Sequence, residues 1–179
     1  NLDPVDGRPV EMVLDLERLA REKPDAAWYR PQRRDLWRFG ALMALDADDA
    51  AHLVSLGEGA TPLLDYSTHP VAAKAGLALQ LKDEGKAHPG YGANPTQSFK
   101  DRGMAMVAAQ ARRLGLTRLA VPTQGNAGDS LVRYALEGGL SVVVAMPDDT
   151  PMPILGGVAA APAILAWAFV GESSSSTVI

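Results

Sequence analysis

The alternation of short strands with helices in the second half of the chain most constrains its fold. Strands are predicted at 77–82, 118–122 and 140–146, and helices at 98–114 and 126–137. Helices of this length between successive strands favour parallel βαβ units. We therefore expect an α/β fold built on a parallel or mixed twisted sheet, with helices on both of its faces.

The expected ends of the first long helix point to where a functional site would lie. Ser98 is its predicted N-cap, and Gly115 is the predicted residue that stops it. In a parallel sheet, ligands collect where the strands end and the following helices begin. The loops at 83–100 and 122–127 are therefore the segments in which we expect the functional residues.

Composition excludes several classes of function. Hydrophobic residues make up 47% of the 179 residues, enough to bury a core. The net charge of −4 argues against a broad surface for nucleic acid or acidic lipid, so we expect neither partner. The chain has no cysteine and three histidines in separate segments, so no metal site is predicted. The polar first residues lack a signal core, and a cytoplasmic location is expected.

Composition also suggests a division of the chain. Residues 1–52 are predicted to form an N-terminal arm with lead-in helices, and residues 53–179 an α/β domain. In the arm, aromatic residues alternate with arginines between 28 and 39. Such a pattern can stack on bases, but packing of the aromatics on a neighbouring domain is the favoured interpretation. The apolar stretch 154–170 is shorter than the roughly 20 residues of a spanning helix, which favours a buried helix–strand pair or a disturbed terminus.

Lys100 is the first candidate for chemistry. A loop rich in Asn, Pro and Thr delivers it to the first turn of a predicted helix. The positive end of the helix dipole disfavours the ammonium form, and burial beside Phe99 would add to this effect. A neutral amine is the form that attacks an aldehyde cofactor. For this loop by itself, a surface lysine paired with Asp101 is the favoured alternative.

The segment 122–128 is the second candidate. It joins a strand to a helix, and the backbone N–H groups at a helix start can hold a carboxylate or a phosphate. Gly125 allows close approach of a ligand, and Asn126 offers a side-chain amide. An ordinary helix start with Asn126 as N-cap remains an equal alternative. The Gly-x-Gly of residues 57–59 lacks the third glycine of a dinucleotide site and predicts only a turn.

Three segments occur in one order: Gly-Glu-Gly-Ala-Thr-Pro-Leu at 57–63, Asn-Pro-Thr-Gln-Ser-Phe-Lys-Asp-Arg-Gly at 94–103, and Gly-Asn-Ala-Gly at 125–128. This order resembles the fold type II, tryptophan synthase β-like enzymes that use pyridoxal 5'-phosphate. Threonine synthases and threonine-synthase-like proteins match best, over roughly residues 28–157. The resemblance implies the tryptophan synthase β-like fold and, for a full-length chain, a homodimer.

The resemblance implies roles for individual residues. Lys100 matches the Schiff-base lysine, which then moves protons at the α and β carbons of an amino-acid substrate. Asn126 matches the asparagine that hydrogen-bonds the phenolic oxygen of the cofactor, and Phe99 lies at the position beside its ring. The loop that receives the substrate carboxylate corresponds to Thr123, Gln124, Gly125, Asn126 and Ala127. The implied reaction converts O-phosphohomoserine to threonine by β,γ-replacement, within the lyase class.

Two departures from the family pattern support alternatives. Threonine synthases usually carry hydroxyl side chains where this chain has Gln124 and Ala127. A related enzyme of β-replacement or β-elimination, such as a dehydratase or a cysteine- or cysteate-synthase-like protein, is therefore the first alternative. The family's distal glycine-rich phosphate loop is missing, and the tail 159–179 is atypical, so we expect the N-terminal part of the fold only. A non-catalytic truncated fragment or binding domain is the second alternative.

Overall fold

The computed structural model describes residues 3–9, 11, 13–22, 29–43, 45, 50–160 and 164–170, the last range by its backbone alone. Trp28 and the tail beyond residue 170, both used in the sequence interpretation, lie outside these ranges. In the described part, the helices are α1 (Leu16–Glu22), a 3₁₀ helix (Leu36–Leu42), α2 (Pro70–Ala75), α3 (Lys100–Arg113), α4 (Asn126–Glu137) and α5 (Met152–Ala159). The strands are β1 (Leu63–Asp65), β2 (Gln80–Lys82), β3 (Arg118–Pro122), β4 (Ser141–Pro147) and β5 (Ile164–Val170).

A parallel sheet of order β3-β4-β5 confirms the predicted α/β class. The pairing of β3 with β4 runs from Arg118 opposite Ser141 to Pro122 opposite Ala145. Helix α4 connects these two strands, and α5 connects β4 to β5. Both crossovers return the chain to the same end of the sheet, so the carboxyl ends of β3 and β4 open beside the starts of α4 and α5.

The core lies between β4, α3 and α4. Alternate residues of β4 are buried on one face and half-buried on the other, which is the period of a strand with one face in the core. The buried residues are Val142, Val144 and Met146 on β4, Ala105, Ala108 and Ala109 on α3, and Leu131, Val132, Tyr134 and Ala135 on α4. Alanines on α3 let the two helices pack closely, because they hold little volume between the axes.

The predicted strand at 77–82 differs from the structure in length and in partner. Strand β2 holds only Gln80–Lys82 and pairs antiparallel with β1, with Leu64 opposite Leu81. The expectation that it belongs to the parallel sheet is therefore wrong, since β1 takes up its hydrogen bonds. Leu77 and Leu79 precede the strand and are exposed.

Two interpretations of apolar segments agree with the structure. The stretch 154–170 falls in α5 and β5, which is the helix–strand pair expected of it. Within the described ranges, no helix is long and apolar enough to cross a membrane.

Among the aromatics of the arm, Trp37 is fully buried in the core, and its Nε1 donates to the carbonyl of Val54 at 2.9 Å. The division between residues 52 and 53 stays a prediction.

Candidate functional site

The lysine loop ends where α3 begins, and the N-cap lies one residue later than predicted. Phe99 occupies the N-cap position, and the Ser98 hydroxyl accepts a hydrogen bond from the backbone N–H of Lys100 at 3.2 Å. Lys100 is therefore the first helical residue. Ser98 still stabilises the helix start, as its side chain predicted, but from one position further out.

The Lys100 side chain is exposed, so the expected burial beside Phe99 is wrong. Its Nζ lies 4.9 Å from the centroid of the Phe99 ring, which is itself 58% exposed. The ring covers one side of the amine and leaves the remainder accessible. An amine in this position can be reached by a small aldehyde from solvent.

Asp101 does not pair with Lys100, in contrast to the surface interpretation of this loop. Its carboxylate is fully buried. It accepts hydrogen bonds from the Thr96 backbone N–H at 2.8 Å and the Thr96 hydroxyl at 2.6 Å. It also accepts one from the Ser130 hydroxyl on α4 at 2.7 Å. The first turn of α3 is thereby joined to α4, close to the second candidate segment.

The start of α4 has Gly125 as N-cap and Asn126 as its first residue, so the prediction of Asn126 as N-cap is wrong. The capping function falls to Thr123. Its hydroxyl accepts from the backbone N–H groups of Gly125 at 3.2 Å and Gly128 at 3.1 Å, and donates to the Gly125 carbonyl at 3.0 Å. The family resemblance places Thr123 in the loop that receives a substrate carboxylate, and in the structure its hydroxyl is bonded within that loop.

Other groups of the same loop are free to bind a ligand. The side chains of Gln124 and Asn126 are both exposed. Among the described residues, none accepts a hydrogen bond from the backbone N–H groups of Asn126 and Ala127. These groups lie at the positive end of the α4 dipole, where an anion is stabilised. The loop can therefore hold a carboxylate by its backbone rather than by hydroxyl side chains.

A cavity of about 470 Å³ lies beside this loop at the carboxyl ends of β3 and β4, the edge of the sheet at which ligands were expected. It is lined by Pro122, Thr123, Gln124, Ala145, Met146 and Pro147. None of these side chains ionises. The described wall of the cavity is thus apolar with one exposed amide, a lining that suits a small neutral group.

The segment 57–63 contributes a buried carboxylate that sequence reasoning missed. Glu58 is fully buried, and its Oε2 accepts hydrogen bonds from the Tyr134 hydroxyl and the Leu56 backbone N–H, both at 2.9 Å. Burial raises the pKa of the Glu58 carboxyl above its ordinary value. Burial, together with the nearby Glu58, also raises the pKa of Tyr134. A glutamate between two glycines gives no sequence signal for such a contact, because its partner lies 76 residues away.

A second network joins the segment 57–63 to the lysine loop. The Asn94 side chain donates to the Glu84 carboxylate at 2.7 Å and accepts from the Gly59 backbone N–H at 3.3 Å. Arg102 on α3 pairs with the same carboxylate at 2.7 Å. Burial acts to raise the pKa of Glu84, but the bonds from Asn94 and Arg102 outweigh it and the pKa is lowered. Segments 57–63 and 94–103 are thus joined to each other, and α4, which begins in the third segment, is bonded to Glu58 through Tyr134 and to Asp101 through Ser130.

No metal centre accompanies this arrangement in the described part of the chain, where no three His, Asp or Glu side chains form a group that could hold an ion. The candidate site combines an exposed amine at the start of α3 with a side-chain amide and free backbone N–H groups at the start of α4.

Comparison with known proteins identifies relatives of this chain. The family model described as pyridoxal-phosphate dependent enzyme matches residues 54–164. The threonine synthase of Methanocaldococcus jannaschii is 33% identical over 143 residues, which are 79% of this chain and 32% of that protein. The threonine synthase of Methanosarcina acetivorans is 33% identical over 135 residues, 75% of this chain and 28% of that protein. The chain thus spans about a third of the length of these curated relatives.

Solved structures share the fold at lower identity. The apo form of Escherichia coli diaminopropionate ammonia lyase superposes with a TM-score of 0.52 at 19% identity, over 68% of this chain and 35% of that chain. The processed form of threonine deaminase isoform 2 from Solanum lycopersicum superposes with a TM-score of 0.50 at 17% identity, over 70% of this chain and 31% of that chain. At these identities the likeness shows a shared fold and nothing further.

Proposed function

Because the chain belongs to the family of pyridoxal-phosphate dependent enzymes, we propose that it acts on an amino acid in the manner of threonine synthase, with Lys100 holding the cofactor. The family model covers more than half of the chain, and the family's cofactor is pyridoxal phosphate. One observation supports the assignment of Lys100 above others. It is an exposed amine at the start of α3, and Asp101 bonds that turn to Ser130 in α4.

The residues present fit the cofactor and an amino-acid substrate. Asn126 opens α4 one helical turn before Ser130, so its amide lies at the same end of the helix pair as Lys100. Gly128 keeps the loop compact, because a Cβ there would lie 2.4 Å from Cγ2 of Thr123. The resulting cradle presents backbone N–H groups to an anion. A cofactor held at the Lys100 amine would receive the amino group of an amino acid, and the anion cradle would receive its carboxylate.

The proposed chemistry divides between cofactor and chain. When bound, pyridoxal phosphate withdraws electrons from the bonds at the substrate's α carbon. Lys100 Nζ would hold the cofactor and, once the substrate amine replaces it there, move a proton at that carbon. Asn126 would donate to the phenolic oxygen, and Phe99 would lie beside the ring. The backbone N–H groups of Asn126 and Ala127, with Thr123, Gln124 and Gly125 shaping the loop, would orient the carboxylate.

The substrate proposed first is O-phosphohomoserine, converted to threonine by β,γ-replacement, because both compared relatives are threonine synthases at 33% identity. A second candidate is a β-replacement or β-elimination on a substrate with a neutral side chain. The cavity beside the carboxylate loop favours it, since Gln124, Met146 and the other lining residues supply no positive charge for a phosphate. A cytoplasmic homodimer in the full-length protein belongs to the same proposal and is supported by the family resemblance.

A labelling experiment tests the role of Lys100. Purified protein is incubated with pyridoxal phosphate and reduced with borohydride, which makes a carbon–nitrogen link permanent, and modified peptides are then located by mass. We expect the label on Lys100, together with a visible absorbance band that Lys100→Arg abolishes. Lys74→Arg is the matched control, because Lys74 is an exposed lysine of α2. Equal labelling and an equal band in Lys100→Arg would overturn the assignment.

Substrate assays then separate the two candidate reactions. O-phosphohomoserine, O-acetylserine with added sulfide, and serine are offered to the cofactor-loaded protein, and threonine, the sulfur-containing replacement product and the released keto acid are measured. Threonine formation from O-phosphohomoserine supports the first candidate. Turnover of the neutral substrates alone supports the second. A loaded protein that converts none of them contradicts both and leaves a cofactor-binding, non-catalytic chain.

A further inference from the structure

We propose that Asp101 is a positioning residue, whose buried carboxylate fixes the lysine-bearing start of α3 against the asparagine-bearing start of α4. The proposal rests on the proposed function, because the two residues that Asp101 would position, Lys100 and Asn126, are the ones expected to hold the cofactor. Asp101 follows Lys100 directly and is fully buried, whereas Lys100 is exposed. We refer to Asp101, Thr96 and Ser130 together as the aspartate clasp.

The clasp uses both carboxylate oxygens of Asp101. Oδ2 accepts from the Thr96 backbone N–H at 2.8 Å. Oδ1 accepts from the hydroxyls of Thr96 at 2.6 Å and Ser130 at 2.7 Å. A carboxylate is the side chain that accepts at both oxygens. In Asp101→Asn, an amide N–H at the Oδ2 position would oppose the Thr96 backbone N–H, and the opposite orientation would require both hydroxyls to accept instead of donating.

Holding Asp101 also sets the direction of Lys100. Neighbouring residues in a helix point about 100° apart, since 3.6 residues complete a turn. When Asp101 is bonded to Ser130 on α4, the rotation of the first turn of α3 is fixed. Lys100 is then directed out of the helix pair. The hydrogen bond between Asp101 and Ser130 thus determines the position of the Lys100 amine relative to Asn126, which lies four residues before Ser130.

The loop before Lys100 needs this support because it contains an unfavourable backbone conformation. Gln97 has φ of 59°, in the left-handed region that side chains other than glycine rarely adopt. The residues on both sides of Gln97 are held by the turn that follows. Thr96 is bonded to Asp101 through its backbone and its hydroxyl, and Ser98 is bonded to the Lys100 N–H. Such strain persists where surrounding bonds maintain it.

Amide hydrogen exchange tests the clasp without any cofactor. In Ser130→Ala, we expect the Thr96 amide to exchange about tenfold faster, as the loss of one buried hydrogen bond implies. Thr150→Val is the matched control, because the buried Thr150 hydroxyl also makes one hydrogen bond, to the Pro147 carbonyl at 2.7 Å. An equal increase of the Thr96 exchange rate in both variants would show that only the overall stability had changed, and would overturn the proposal.

Cofactor labelling tests the consequence for Lys100. We expect Thr96→Val and Ser130→Ala to lower the labelling of Lys100 relative to Lys74 by about tenfold, whereas Thr96→Ser, which keeps the hydroxyl, restores it. Unchanged Lys100 labelling in folded Thr96→Val and Ser130→Ala would overturn the positioning role. If the unaltered protein takes no label at Lys100, the proposed function fails, and the exchange measurement still decides whether the clasp holds the two helix starts.

Discussion

At the scale of single residues, the start of α4 depends on the absence of a side chain at one position. Gly128 is buried, and its backbone N–H is bound by the Thr123 hydroxyl at 3.1 Å. A Cβ at Gly128 would lie 2.4 Å from Cγ2 of the same threonine. Any side chain there must displace the residue that caps the helix. Gly103, in α3, makes a matched comparison, because a Cβ at that position would have no heavy atom within 4 Å.

We predict opposite effects of alanine at these two glycines. Gly128→Ala should lower the free energy of unfolding by about 1–3 kcal/mol, because the added methyl group overpacks a closed site. Gly103→Ala should raise it by up to about 1 kcal/mol, since alanine favours the helix and meets open space. Chemical denaturation of both variants measures the difference. A Gly128→Ala protein as stable as Gly103→Ala would contradict the close approach of Thr123.

At the scale of elements, two buried or half-buried glutamates connect the loops to the helices, and their protonation has opposite effects. Glu58 binds Tyr134 of α4, and burial raises its pKa. Its contribution to stability is therefore complete below the ordinary value near 4.5 and is lost as pH rises through the raised pKa. Glu84 binds Arg102 of α3 and has a lowered pKa. Its contribution is present above 4.5 and is lost as pH falls through the lowered pKa.

Glutamine substitutions should separate the two pH dependences. A glutamine in place of Glu58 would not titrate, yet its side-chain oxygen can still accept from Tyr134 and Leu56. We therefore expect Glu58→Gln to gain stability relative to the unaltered protein as pH rises above 4.5. Glu84→Gln should be the less stable protein at neutral pH, with a deficit that shrinks in acid. Thermal unfolding from acid to neutral pH gives both trends, and parallel curves for the two variants would contradict these assignments.

At the scale of the whole molecule, stability is concentrated in the parallel sheet and its helices. Every second residue of β4 is buried, whereas all three residues of β2 are exposed. Leu81 of β2 is 45% exposed, and Leu77 and Leu79, which precede this strand, are 61% and 43% exposed. A two-stranded sheet without cover contributes little to folding.

We predict that truncations in the two sheets differ in cost. Val144→Ala should destabilise the protein by about 1–3 kcal/mol, because it removes fully buried methyl groups from the core. Leu81→Ala should cost less than about 1 kcal/mol, because nearly half of that residue already faces solvent. Denaturant titration distinguishes the two. Equal losses would show that the β1–β2 pair belongs to the cooperative core.

The sequence by itself determined the parts that rest on local patterns. The β-branched run of β4, the glycine stop after α3 and the bounds of α4 all follow from neighbours within a few residues. The order of the three glycine- and lysine-bearing segments indicated the family. Lys100 and Asn126 were named from these patterns, and the structure places each at the first residue of its helix.

The tertiary structure decided what depends on distant partners. Strand β2 alternates as a buried strand would, yet its pairing with β1 keeps it out of the parallel sheet. The Thr123 hydroxyl suits a ligand chemically, but Gly125 and Gly128 occupy it. Asp101 was expected at the surface as a partner of Lys100, and Glu58 only as part of a turn, whereas both are buried and bonded to partners 29 and 76 residues away. A sequence pattern indicates which hydrogen-bonding groups a residue can pair with, whereas tertiary packing determines which of these groups lie next to it.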